Sequence, residues 1–193
     1  MAVVEPVRRH LSERQADTVQ RLTDAAVDEI RAHTYEGLTV RKVARRAGVA
    51  PATAYTYFAS KDHLVAEVFW RRLQTLPDVR VDRRRGAAAR VVSAVRDVAL
   101  LVADEPELAA ACTAALLAND PDVRRLRDRI GATVHGRLAQ ALGDDAGVTV
   151  LQALDLAFSG AMLHAGMGYL DYGELADRMA EVAVLVVDGN GAE

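Results

Sequence analysis

Cysteine and aromatic residues are scarce in this sequence of 193 residues, which contains one Cys, one Trp, five Tyr and three Phe. The single cysteine, Cys112, excludes an internal disulfide framework and a cysteine-rich zinc site. Few aromatic side chains, together with abundant Ala, Val, Leu and Arg, favour helices over a β-sandwich or a barrel. The five prolines lie at or near the ends of periodic segments. The composition therefore predicts an all-α fold.

Sequence signals of catalysis and of metal binding are also missing. The chain has no G-x-S-x-G motif, no glycine-rich phosphate loop and no cluster of metal-ligand residues. His135 and His164 have no neighbouring ligand at metal spacing, and Cys112 has no basic residue close in sequence that would activate its thiol. We therefore predict no enzymatic activity, no cofactor and no metal, with a helical enzyme as the competing class.

Long apolar runs and a signal-peptide pattern are absent as well. No uninterrupted apolar stretch is long enough to cross a bilayer, and the start of the chain lacks the features of a signal peptide. We expect a cytoplasmic protein without a membrane partner.

The net charge of −3 is unevenly distributed along the chain. Residues 1–75 contain 12 Lys and Arg against 9 Asp and Glu, a net charge of +3, whereas residues 76–193 contain 12 against 18, a net charge of −6. A basic head on an acidic body is expected of a DNA-binding protein with a separate regulatory domain.

Residues 39–61, reading TVRKVARRAGVAPATAYTYFASK, join two short apolar-periodic segments through a tight turn and carry five basic residues but no acidic one. Thr39 is a suitable N-cap for the first segment. Gly48 lies where the chain must reverse, because glycine reaches positive φ at little steric cost. Pro51 suits the first position of a second helix. The pattern predicts a helix-turn-helix, whose second helix would enter the major groove of DNA.

The remaining positions of this segment fit a compact core and a further helix. Val49, Ala54 and Phe58 are expected to point inward, and Ser60 can cap the next helix, with Asp62 in its first turn. A helical hairpin with a solvated basic face is the alternative interpretation of the same residues.

The segment resembles the DNA-binding signature of the TetR family of transcriptional repressors. The residues that carry the second half of the match are Thr53, Tyr55, Tyr57, Phe58, Ser60, Lys61 and Leu64. Two positions depart from the family pattern: Ala50 stands where relatives often have a capping residue such as Ser, and Ala54 replaces a common Leu.

The resemblance implies two kinds of contact with DNA. Phosphate contacts would set the register of the protein on the duplex, and base contacts would specify the sequence. Base-edge contacts would come from Arg41, Ala52 and Tyr55, with Pro51 close to the groove. Phosphate contacts would come from Thr39, Thr53, Tyr57 and Lys61.

Turn and capping signals predict about nine helices in two domains. Residues 1–60 would form the helix-turn-helix domain, residues 61–76 a connecting helix, and residues 77–193 a larger helical domain for effector binding and dimerisation. Gly37 is expected to end the first helix in the left-handed conformation. The β-branched run at residues 182–187 could form a strand, but we assign it to a helix because the chain offers it no partner strand.

Three pairs of residues have the spacing of a capping box at the start of a helix, namely Ser12 with Gln15, Thr149 with Gln152, and Asp171 with Glu174.

The last two helices are the predicted dimer surface. Small residues would let the eighth helix approach a partner closely; they are Ala153, Ala157, Gly160, Ala161, Ala165, Gly166 and Gly168. The ninth helix would supply an apolar stripe of Leu175, Met179, Val182, Ala183 and Val186. The usual family arrangement, a four-helix bundle across a two-fold axis, agrees with this interpretation, whereas packing within one protomer is the alternative.

The helical body at residues 87–169 is the expected ligand domain. The candidate pocket residues are Cys112, Leu116, His135, Phe158 and Met162. The resemblance implies a small, largely hydrophobic effector whose binding moves the fourth helix, and the Ala- and Val-rich lining suits a lipid-like, steroid-like or acyl-chain molecule. Each polar residue could instead be an ordinary core or surface group.

Together these features predict a ligand-responsive repressor that binds a palindromic operator in double-stranded DNA as a homodimer. A small hydrophobic effector would release it. An architectural DNA-binding protein without an effector is the alternative.

Overall fold

The computed structural model describes residues 13–143 and 147–189, which form nine helices and no strand. The helices are α1 (Glu13–His33), α2 (Val40–Arg46), α3 (Pro51–Tyr57), α4 (Lys61–Gln74), α5 (Ala87–Ala99), α6 (Pro106–Leu117), α7 (Pro121–Leu142), α8 (Val148–Gly166) and α9 (Tyr172–Gly189). The predicted all-α fold is confirmed, and residues 182–187 are helical. Ser12, the first member of one predicted capping box, lies outside the described residues.

The first three helices enclose a small core that α4 completes. Leu22 and Ile30 of α1 are fully buried, as are Val43 and Ala44 of α2 and Ala54 of α3. Helix α1 packs on both α2 and α4. Because α2 and α3 have seven residues each, they depend on this packing rather than on intrinsic helix stability.

The end of α1 differs from the prediction. Thr34, not Gly37, adopts the left-handed conformation, with φ of 61°. Its N–H donates to Ile30 O at 3.0 Å, and its hydroxyl donates to Glu36 Oε2 at 2.8 Å. These two bonds place the left-handed residue at Thr34, three positions before the predicted Gly37.

The body packs α5 between α7 and α9, while α4 lies against α6 and α7. The α9 stripe that we assigned to the dimer surface faces inward instead: Leu175, Met179 and Ala183 are buried because α9 packs on α5 and α8 of the same protomer. The apolar side chains that α9 leaves exposed are Val184 and Leu185.

Of the five helix starts in the body, two have a side-chain cap. Asp120 Oδ1 accepts from the N–H groups of Asp122 and Val123, and Asp171 Oδ1 accepts from Gly173 N at 2.7 Å. The capping box predicted at Thr149 is wrong, because α8 begins at Val148 with Gly147 as its N-cap and no side-chain capping bond.

Gly166 on α8 makes a close contact inside the protomer rather than at a dimer surface. A Cβ added to Gly166 would lie 2.5 Å from the Cβ of Thr113 on α6. Gly166→Ala is therefore expected to lower the free energy of unfolding by about 1–3 kcal/mol. Urea denaturation followed by circular dichroism measures the change.

Gly131→Ala provides the matched control, because a Cβ at Gly131 meets nothing within 4 Å and the residue lies in the exposed middle of α7. It should stabilise the helix by up to about 1 kcal/mol. Equal stability of Gly166→Ala and the wild type would contradict the close approach of α6 and α8.

Helix α8 is the long eighth helix that the sequence predicts, and it is rich in apolar residues. A stretch of 18 of its 19 residues has a mean hydropathy of 1.3, so by length and composition α8 could cross a membrane. In the fold it packs against α6, α7 and α9. One side remains uncovered, where Val148, Leu156 and Met167 are exposed. An uncovered apolar stripe on a packed helix is the usual mark of a protein–protein contact.

Candidate DNA-binding surface and effector cavity

Helix α3 presents its polar and aromatic side chains outward from the turn. Thr39 caps α2 by accepting from Lys42 N at 3.2 Å, and Gly48 turns the chain with φ of 64°. Pro51 occupies the first turn of α3, while Ala50 provides no side-chain cap. Each local prediction for the turn is thereby confirmed, including the uncapped start at Ala50.

The proposed DNA contacts lie at the surface. Tyr55 is 53% exposed, and Tyr57 is half-buried against the core. The other exposed candidates are Thr39, Arg41, Pro51, Ala52 and Thr53. The hydroxyl of Thr56, by contrast, donates to Ala52 O at 3.0 Å within the helix.

The basic face of α2 is divided between bonded and free side chains. Lys42 Nζ donates to Gly37 O at 2.7 Å, and Arg46 Nε donates to Glu29 Oε1 at 2.6 Å. Arg41 and Arg45 are exposed and have no bonding partner among the described residues. Arg45 lies one turn after Arg41, so it joins the candidate surface; the i, i+4 spacing of the two arginines was the signal for it in the sequence.

Lys61 is held by the segment between α1 and α2. Its ammonium donates to Tyr35 O at 3.0 Å and lies 4.2 Å from the centroid of the Tyr35 ring. The Tyr35 hydroxyl donates to Asp62, and burial together with this bond raises the pKa of Tyr35. An ammonium has three N–H donors, so this arrangement aims Lys61 while leaving donors for a phosphate.

Two of the polar links that connect the first four helices to the body are built on acidic side chains. Ser60 caps α4 by accepting from His63 N at 3.0 Å, and its hydroxyl donates to Asp120 Oδ2 at 2.6 Å. The Ser60 bond, with the backbone bonds at the start of α7, lowers the pKa of Asp120.

The second link is a carboxylate shared by two arginines. Glu105 accepts from Arg31 of α1 at 2.6 Å and from Arg72 of α4 at 2.7 Å. Burial acts to raise the pKa of Glu105, but the bonds from Arg72 and Arg31 outweigh it and lower the pKa. Through these two links, α4 is bonded to the segments at the starts of α6 and α7.

His63 lies beside the first of these links. Its ring packs edge-on to Phe58 with centroids 5.4 Å apart, and Nδ1 is 4.0 Å from Asp122 Oδ2. Burial lowers the pKa of His63, and the neighbouring carboxylates only partly oppose this. The imidazole is therefore neutral at pH 7.

The five candidate pocket residues do not share one cavity. Cys112 and Phe158 are buried, whereas Leu116 and Met162 are half-buried. Burial raises the pKa of the Cys112 thiol to about 12, so it is protonated and inert. The assignment of His135 to the pocket is corrected by its position: its side chain is 52% exposed and Nδ1 lies 2.6 Å from Asp155 Oδ2 on the surface.

A narrow void lies in the body between α5, α7 and α8, and it is too small to admit a water molecule. Phe158 lines it, together with Ala94, Val95, Val98, Val134, Arg137 and Leu138. Of the predicted pocket residues, Phe158 is therefore the one that borders this void. The described residues contain no group of three or more side chains suited to hold a metal ion.

The fold and this surface define a class of protein, the helix-turn-helix regulators that carry a helical body. The family model for bacterial regulatory proteins of the tetR family matches residues 22–68. An HTH-type transcriptional regulator of Mycobacterium tuberculosis is 49% identical over 178 residues, which cover 91% of this chain and 83% of that protein. The chain belongs to the TetR family of transcriptional regulators, whose members are not enzymes.

Other similar proteins agree with this assignment. The HTH-type transcriptional repressor KstR of Mycolicibacterium smegmatis is 30% identical over 137 residues, covering 69% of this chain and 67% of KstR. A TetR transcriptional regulator from Rhodococcus sp. RHA1 superposes with a TM-score of 0.73 at 21% identity, over 92% of this chain and 98% of that one. The regulator FadR from Bacillus subtilis, solved in complex with stearoyl-CoA, superposes with a TM-score of 0.61 at 20% identity, over 88% of this chain and 98% of that one.

Proposed function

We propose that this regulator is a repressor that binds a palindromic operator as a homodimer in the cytoplasm and is released by a small hydrophobic effector of lipid, steroid or acyl origin. The observation that carries the DNA-binding part is the exposed surface of the helix-turn-helix, where Tyr55 of α3 and the unpaired guanidinium groups of Arg41 and Arg45 of α2 face solvent. Residues 1–60 act as the DNA-binding domain, residues 61–76 as the connecting helix, and residues 77–193 as the effector and dimerisation domain.

The division of DNA contacts follows the exposed side chains. Arg41, Ala52 and Tyr55 read base edges, with Pro51 close to the groove. The backbone contacts belong to Thr39, Thr53, Tyr57 and Lys61. Hydroxyl and ammonium donors suit phosphate oxygens, whereas a guanidinium suits the paired acceptors of guanine in the major groove.

Dimerisation through α8 and α9 accounts for their uncovered apolar side chains. Val148 and Leu156 on α8, Met167 directly after it, and Val184 and Leu185 on α9 are exposed in one protomer. Gly160 is exposed on the same stripe of α8, and a Cβ there would meet nothing within 4 Å, so a second helix could approach closely. Two copies would bury this surface against each other.

An effector in the body could act on DNA binding through α4. The void lies against α5, α7 and α8, and α7 is joined at its start to Ser60 of the α4 cap. The void does not admit even a water molecule, whereas typical ligand sites have roughly 300–1,000 Å³, so an effector would have to spread the helices apart. The acyl ligand of the FadR structure supports an apolar effector of this kind.

Lys61→Met tests the DNA-binding proposal. Because a phosphate contact adds counterion release, the variant should bind every sequence more weakly, and the slope of log affinity against log salt should fall by about 0.9. Fluorescence anisotropy with labelled duplexes, taken from selection of bound DNA out of a random pool, measures both quantities over a range of salt concentrations.

Arg96→Met is the matched control, since Arg96 is an exposed cation on α5 that pairs with Asp177 in the body. It should leave affinity and salt slope unchanged. An unaltered salt slope in Lys61→Met would remove Lys61 from the interface, and a failure to select any DNA would overturn the regulator proposal. Release of the selected operator by apolar compounds separates an effector-controlled repressor from an architectural DNA-binding protein.

A further inference from the structure

Tyr35 lies in the segment between α1 and α2, and it contacts two neighbouring side chains of opposite charge at the start of α4. Its carbonyl oxygen accepts from Lys61 Nζ at 3.0 Å, and its ring centroid lies 4.2 Å from the same ammonium. Its hydroxyl donates to Oδ1 of Asp62. One residue therefore holds both a cation and the carboxylate that follows it in the sequence.

The ammonium of Lys61 forms no ion pair in the described part of the chain, although two carboxylates are close to it. Asp62 is bonded to the Tyr35 hydroxyl, and Glu36 accepts from the Thr34 hydroxyl at 2.8 Å. A bond from its own backbone N–H, the Thr34 bond and the charge of Lys61 lower the pKa of Glu36. Both carboxylates are thus held by hydroxyls, and the charge of Lys61 remains available to an external anion.

The groups that hold Lys61 are themselves fixed. The Tyr35 carbonyl also accepts from Leu38 N at 3.2 Å, which sets its direction in the turn. Burial, together with the bond to Asp62, raises the pKa of Tyr35, so its hydroxyl stays a donor at neutral pH. The π face of the ring attracts the ammonium without accepting a conventional hydrogen bond from it. Lys61 therefore keeps N–H donors for a phosphate oxygen.

We propose that Tyr35 is the positioning residue for the phosphate contact of Lys61. Its ring and carbonyl hold the ammonium at the DNA-binding surface, and its hydroxyl keeps the Asp62 carboxylate away from that ammonium and from the phosphate. This inference rests on the proposed function and explains how one of its contacts is built. Without the ring, DNA binding would have to order a long, mobile side chain.

Two substitutions separate the ring from the hydroxyl. Tyr35→Leu removes both, and it should weaken binding to the selected operator about 5- to 30-fold, since losing a cation–π contact costs about 2- to 5-fold in each half-site of a dimer. The salt slope should fall toward that of Lys61→Met. Tyr35→Phe keeps the ring, so its affinity should lie between those of Tyr35→Leu and the wild type. Fluorescence anisotropy over a range of salt concentrations measures both quantities.

A second substitution at Asp62 tests the role of the hydroxyl. In Tyr35→Phe the Asp62 carboxylate is released beside the phosphate, where it repels DNA and competes for Lys61. Adding Asp62→Asn removes that charge, so the double variant should recover most of the affinity that Tyr35→Phe loses. A purely structural role of the hydroxyl would give no such recovery.

Double-mutant cycles show whether the ring acts through Lys61. In a Lys61→Met background, Tyr35→Leu should cause no further loss of affinity. In an Arg45→Met background it should cause its full loss, because Arg45 is an exposed cation of α2 that has no bond to Tyr35.

Wild-type affinity and salt slope in Tyr35→Leu would overturn the inference, as would an equal loss from Tyr35→Leu with and without Lys61. Thermal unfolding followed by circular dichroism shows whether each variant is folded. If Tyr35→Leu folds poorly, a folded Tyr35→Phe whose loss Asp62→Asn does not repair would still overturn the inference. The proposed function fails by a different result, namely that the wild-type protein selects no DNA.

Discussion

Leu156→Glu is expected to convert the dimer into a monomer and to weaken operator binding at least about 100-fold. The Leu156 side chain is 76% exposed on the uncovered stripe of α8, so in the proposed dimer it would be enclosed by the partner. An uncompensated carboxylate enclosed in this way costs about 3–5 kcal/mol, and two-fold symmetry introduces two of them. A monomer would hold one half-site only and lose the contribution of the second.

Light scattering after size-exclusion chromatography measures the change in mass, and anisotropy with the selected operator measures the affinity. Leu100→Glu is the control, because Leu100 is an exposed leucine at the end of α5, on another part of the surface. It should leave both mass and affinity intact. A Leu156→Glu protein that stays dimeric would exclude the α8 stripe from the interface.

Phe58→Ala is expected to lower the stability of the DNA-binding domain by about 3–5 kcal/mol, the range for truncating a buried aromatic ring. Phe58 is 2% exposed, ends α3 with its N–H donating to Ala54 O at 2.9 Å, and packs edge-on to His63. With Ala54 already small, the site has little side-chain volume with which to close the resulting cavity.

Tyr55→Ala is the matched comparison on the same helix. Because Tyr55 is exposed, its loss should leave the unfolding transition within about 0.5 kcal/mol of the wild type while changing the preference among operators. Hydrogen exchange of the amides of α1 to α4 separates the two effects by domain. A Phe58→Ala domain as protected as the wild type would contradict the packing of Phe58 in the core against His63.

The parts of the fold that obey local rules could be predicted from the sequence. Thr39 and Ser60 cap their helices, Gly48 provides the one positive φ that the turn needs, and Pro51 starts α3. Each of these roles depends on a residue and its neighbours within a few positions. The same locality explains why the family signature could be identified there.

The parts that depend on packing between distant segments could not be predicted. Apolar periodicity shows which face of α9 is buried but not what buries it, so Leu175 and Met179 were assigned to a partner instead of α5. The small size of Gly166 suggested a partner helix, whereas Thr113 of α6 occupies that space. Arg137 gave no signal at all, because nothing in its neighbourhood along the chain marks a buried arginine.

The bond between Ser60 and Asp120 has a mechanical consequence. The Ser60 hydroxyl caps α4, the Asp120 carboxylate caps α7, and the two groups are bonded to each other. The two helices are therefore joined at their first residues and can rotate about this point without sliding past each other. Helix α3 ends at Tyr57, three positions before Ser60. A segment that lies close to a pivot is rotated by the motion but is displaced very little. A widening of the body would therefore tilt the two recognition helices of a dimer against the groove rather than simply drawing them apart.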